Sequence, residues 1–172
     1  MDFNDVLVDA FGRIREVVHG AVDGGSPATL AFRPDDDANS IAWLVWHLTR
    51  IQDDHVADVA GTEQVWTAAD WVTRFGLPFP PADHGYGHDT HRVAPLADAS
   101  GELLLGYHDA VHDATVRYLG GLTPGDLDRI VDERWDPPVS LAVRLVSVVA
   151  DDLQHAGQAA YVRGLAQRSG VE

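Results

Sequence analysis

Apolar residues recur at steps of three and four from Phe3 to Ala21, where Phe3, Val6, Leu7, Ala10, Phe11, Ile14, Val17, Val18 and Ala21 make one stripe. That spacing places them on one face of a helix with about 3.6 residues per turn, so the chain opens with an amphipathic helix. A second helix is predicted in NSIAWLVWHLTRIQDDHVADVAG, whose apolar arc holds Ile41, Leu44, Leu48, Ile51 and Val59. Asn39 or Ser40 caps its start and Gly61 ends it. The third, SGELLLGYHDAVHDATVRYLGG, stacks Leu104, Tyr107, Val111, Ala114 and Tyr118 between a Ser100 cap and the Gly120–Gly121 pair. The fourth follows Pro137 and Pro138, takes Ser140 as its cap and continues to Arg168. No stretch alternates as a strand would. Four helices of about five turns or more predict an all-α four-helix bundle, a single domain over residues 1–172.

Between the second and third helices lies the longest irregular part. It begins with a short helix at EQVWTAADWVTRFG and continues as LPFPPADHGYGHDTHRVAP, rich in Pro, Gly, His and aromatic residues. A loop of that length in a small domain is more often functional than idle. Trp43, Trp46, Trp66, Trp71, Phe75 and Phe79 are expected to build the core and anchor this loop.

Composition removes several function classes. Twenty-seven acids against 12 bases leave a formal charge of −15, which repels phosphate backbones and argues against a nucleic-acid partner. No apolar run approaches the roughly 18 residues of a membrane span, and the acidic start MDFNDVLVDAF is unlike a signal peptide, so a cytoplasmic location is expected. The chain has no cysteine, hence no thiol nucleophile of its own, and no lysine to form a Schiff base.

The segment VVADDLQHAGQ carries chemistry inside the fourth helix. Val148, Ala159, Val162 and Ala166 fall within about 40° of His155, so this histidine is expected near the centre of the buried stripe, with Asp151 one turn away in the same arc. Residues at i and i+4 project to one point and can share one ion. The same pair can equally be a core histidine with its hydrogen-bond acceptor.

SIAWLVWHLTRIQDDH, followed about a hundred residues later by DDLQHAGQ, resembles the DinB-like superfamily of four-helix bundles over essentially the whole chain. Its members include bacillithiol-type thiol transferases and mycothiol-dependent maleylpyruvate isomerases. The resemblance implies a divalent metal, zinc or nickel, held by His47, Asp151 and His155. The commoner family pattern has histidine at position 151, and the maleylpyruvate isomerase branch a glutamate, one methylene longer. It further implies a small-molecule substrate, a mycothiol-like low-molecular-weight thiol as co-substrate, and a homodimer. The implied activity is that of a transferase or isomerase. Maleylpyruvate isomerases carry a further C-terminal domain for which this chain is too short, so that particular activity is not expected. The alternatives are a metal-free bundle with a binding or stress-associated role and a metal-dependent hydrolase.

Other polar groups have competing readings. Asp152 is a second partner for His155 or a substitute for Asp151 as ligand. His108 and His112 share the i, i+4 spacing but are expected on a half-exposed flank, and His55 is a core residue or an alternative to His47. His84, His88 and His91 are expected to face solvent from the loop, one of them able to close over the site. Arg50 and Arg144 are candidate anchors for an anionic group of a bound thiol or substrate, with salt bridges inside the bundle as the other use.

Overall fold

The computed structural model describes residues 2–171; Met1 and Glu172 lie outside the described residues. Eight α-helices appear among them: α1 Phe3–Val22, α2 Pro27–Ala31, α3 Ile41–Ala60, α4 Val65–Ala68, α5 Trp71–Phe75, α6 Thr90–Val93, α7 Gly101–Gly120 and α8 Leu141–Arg168. The four long helices, α1, α3, α7 and α8, are those predicted from periodicity. Their ends follow the cap chemistry. Ser40, Ser100 and Ser140 each accept a hydrogen bond from the backbone N–H three residues on, and Gly61 closes α3 at φ 66°.

The bundle is a ring in which α3 packs on α7 and α8, and α1 on the same two helices. The α3–α8 seam is the most extensive. These two helices run in opposite directions, since His47 meets His155 while His55, two turns further along α3, meets Arg144. Phe11, Ile14 and Val18 of α1, Leu44 and Leu48 of α3, Leu104 and Val111 of α7 and Leu145 and Val148 of α8 fill the core. Burial of each large side chain contributes roughly 1.5–3 kcal/mol.

The predicted short helix between α3 and α7 is two, α4 and α5, broken where Asp70 adopts the left-handed region at φ 56°. Several further elements carry no sequence signal long enough to read, among them α2, α6 and a hairpin of β1 Ile130–Asp132 and β2 Val139–Ser140, antiparallel, which leads straight into α8. Strands of three and two residues are too short for alternation to register. Among the described residues no helix is long and apolar enough to cross a membrane.

Candidate metal centre

His47, Asp151 and His155 come together at the middle of the α3–α8 seam, with one ligand atom from each within 4.8 Å of the others. The two imidazole rings stand edge to face, centroids 4.8 Å apart. Each ring is held by its Nδ1. That of His47 donates to the backbone carbonyl of His84, and that of His155 donates to Gln158 Oε1 at 2.8 Å. A neutral imidazole fixed this way keeps its Nε2 lone pair for an ion, and such outer partners are what metal-binding histidines almost always have.

The carboxylate completes the picture. Asp151 Oδ1 lies 3.7 Å from His155 Nε2, beyond a hydrogen bond, and Asp151 Oδ2 is buried with no protein partner. The simple reading of a core histidine satisfied by its aspartate therefore fails on geometry. Two imidazole nitrogens and a carboxylate oxygen suit zinc, nickel or iron(II), and three protein ligands leave coordination positions open. Ligand atoms around one such ion sit about 3–3.5 Å apart in a tetrahedral arrangement, so closing on it takes movements on the order of 1 Å. Burial, only partly offset by the bond to the His84 carbonyl, drives the His47 pKa down to about 4. Protons therefore do not compete for its Nε2 near neutral pH.

The loop after α5 is built to deliver that carbonyl. Gly85, at φ 92°, lies flat on the site, and a Cβ there would come within 2.8 Å of His47 Nδ1 and 3.0 Å of the Trp46 ring. Asp83 ties the turn together by accepting from Gly85 N and from His88 Nε2, both at 2.9 Å. Trp43 Nε1 donates to His88 Nδ1, while the Trp43 ring stacks on His47 with centroids 4.7 Å apart. His88 is thus enclosed between Trp46 and Phe79 rather than facing solvent, whereas His91 is exposed as expected. Gln158, Asp83 and Gly85 are functional residues that the sequence marks only faintly, in HAGQ, with an acceptor three residues after the ligand, and in the paired glycines of HGYGH.

Several expectations need correction. Asp152, not His155, occupies the centre of the buried stripe of α8; it is fully buried, and neither oxygen has a hydrogen bond. It is therefore not a partner of His155, and burial pushes its carboxyl well up. His155 stands at the edge of the stripe. His108 is buried rather than half exposed, with Nδ1 donating to Thr49 Oγ1 at 3.1 Å. His112 is also largely enclosed. His55 uses its Nδ1 lone pair to accept from Arg144 at 2.7 Å, which leaves it no ligand role at His47's place.

Both arginines are engaged within the protein. Arg144 bridges His55 and Asp132, the latter at 3.0 Å. Arg50 is sealed in the interior, where no ligand reaches it. Its guanidinium donates to the carbonyls of Pro81 and Asp83, to Gln64 Oε1 and to Tyr107 Oη, and lies 3.7 Å from Asp53. Arg50 thus holds the loop that holds His47.

A structure titled as a conserved protein of a locus from Enterococcus faecalis superimposes with a TM-score of 0.88 at 28% identity, covering 95% of this chain and 96% of that one. No curated protein matches the chain. The DinB superfamily matches residues 10–159, a span that contains α3 and the Asp151–His155 turn of α8. The chain belongs to the DinB superfamily.

Proposed function

We propose that this protein is a divalent-metal-dependent transferase or isomerase acting on a small molecule, with a mycothiol-like low-molecular-weight thiol as co-substrate. The observation that carries the reading is the paired fixing of His47 and His155 through Nδ1, with their free Nε2 atoms beside an aspartate whose buried Oδ2 lacks a partner. Zinc or nickel suits this set. When bound, such a cation lowers the pKa of a coordinating thiol and so supplies at neutral pH a nucleophile that a chain without cysteine lacks.

The protein's own groups would do the rest. Asp151, 39% exposed in its side chain, marks the open side of the site, while Trp43 and the loop turn at Gly85 close the other. One helical turn before Asp151, Ser147 begins a cleft of about 450 Å³ that also involves His55, Asp132, Arg134, Trp135 and Arg144. An exposed Trp135 gives that cleft an apolar wall, and Arg134 and Arg144, both paired with Asp132, give it a polar edge, suited to a small organic molecule with polar groups.

Cobalt substitution tests the reading. Cobalt-loaded protein should show ligand-field bands that shift when a small thiol is added, and His47→Ala or His155→Ala should abolish both bands and shift. A cobalt spectrum indifferent to every thiol tested would remove the transferase reading.

A further inference from the structure

The flank of the α3–α7 seam is filled along only part of its length. Where Tyr107 reaches it, the ring is wedged among Trp66, Trp71 and Phe75, with centroids 5.1, 5.6 and 5.9 Å away. From the next turn of α7 onward the walls shrink to Val111 and Ala114, which face Val56, Ala57 and Ala60 of α3 and Val65 of α4. They bound a hollow of about 430 Å³, open to solvent on one side. That is room for about a dozen water molecules, whereas packed interiors leave few voids larger than one. Its volume falls within the span of ligand pockets, roughly 300–1,000 Å³. None of its lining residues belongs to the metal centre or to the cleft beside Trp135.

The lining sets the chemistry of an occupant. Three polar groups reach the inner wall, and each has its hydrogen bonds within the protein. Asp53 accepts from the backbone N–H groups of Val65 and Trp66 and from Tyr107 Oη. Thr115 Oγ1 donates to the Val111 carbonyl and accepts from Gln52 Nε2, while Tyr118 Oη donates to the Val59 carbonyl and accepts from Arg129. A polar atom brought into the hollow would therefore lose its water without gaining a partner. The remaining charges, Glu63 and Arg117, are exposed at the rim and opposite in sign, so they favour neither an anion nor a cation.

We propose that this hollow is a binding site for a neutral, largely apolar small molecule of one or two rings. Its long walls are two neighbouring helices faced with short side chains, a slot that admits a flat body. An occupant would take the place of water against six apolar side chains, which is the driving force for entry. Three alanines keep the slot open, since a leucine at 57, 60 or 114 would fill it. The site is separate from His47, Asp151 and His155 and stands whether or not they hold an ion.

Phenylnaphthylamine, a neutral dye that brightens in apolar surroundings, tests the assignment. It should bind saturably with Kd on the order of 10 µM. Ala60→Phe and Ala114→Trp grow into the slot from half-buried positions, so each should weaken binding by about tenfold or more without lowering the melting temperature. Ala114→Ser, which adds little bulk, and Trp135→Ala, which alters the other cleft, should both bind the dye as the wild type does. The anionic dye anilinonaphthalene sulfonate should bind about tenfold more weakly than its neutral counterpart. Absence of saturable binding, binding that survives both filling variants, loss of binding in Ala114→Ser or Trp135→Ala, or a preference for the sulfonate would each overturn the proposal.

Discussion

His108 is the residue whose surroundings most directly set a pH response. It is sealed between α7 and α3, Nδ1 donating to Thr49 and Nε2 without a partner. Burial, reinforced by the nearby charge of His112, drives its pKa from the ordinary 6.5 down to about 3. Between those values the unfolded chain binds a proton that the folded one refuses, so stability rises with pH through this window and is level above it. The contribution is about 1.4 kcal/mol per pH unit, or roughly 2 kcal/mol lost between pH 7 and pH 5. Denaturant midpoints at the two pH values should therefore differ by about that much more in the wild type than in His108→Gln; equal differences would count against it. Sequence periodicity misplaced this histidine for a physical reason. Helix α7 is covered by α1 on one side and α3 on the other, so its buried arc is wider than the leucine and tyrosine stripe suggests. Asp152 illustrates the reverse case: an acid in the middle of a core stripe contradicts the rule by which buried positions are recognised.

At the scale of elements, the loop between α5 and α7 behaves as a part of the site. Its length and its Pro, Gly and His content were legible, but its working atom is a backbone carbonyl, which residue types do not encode. From sequence, Arg50 reads as a ligand anchor because a cation on a helix near a ligand histidine has that use in open sites. Tertiary structure closes the space above it with Pro81, Asp83 and Gln64. Arg50→Met should strand Asp53 and release two loop carbonyls. Removing one member of a buried pair costs about 3–5 kcal/mol, which in a chain of this size lowers melting by about 10 °C. Metal affinity should fall along with it, since the His84 carbonyl loses its support. Calorimetry with and without zinc reads both effects, and a fall in melting with unchanged affinity would detach the loop from the site.

For the whole molecule, the bundle was legible because four long amphipathic stripes with serine caps leave few other ways to bury their faces. The site was only half legible. Asp151 and His155 are adjacent on one helix and announce themselves by spacing, but His47 lies about a hundred residues away, and only family resemblance joined it to them before the fold did. The central claim is that these three residues bind an ion in the folded state. Chelator-treated protein without a polyhistidine tag should melt higher when zinc or nickel is added, by the equivalent of about 2.7 kcal/mol at a hundredfold excess over Kd, or some 5–11 °C for a chain of this length. His155→Ala should show no rise. If wild type and His155→Ala respond alike, or neither responds, the metal centre is not where the geometry puts it.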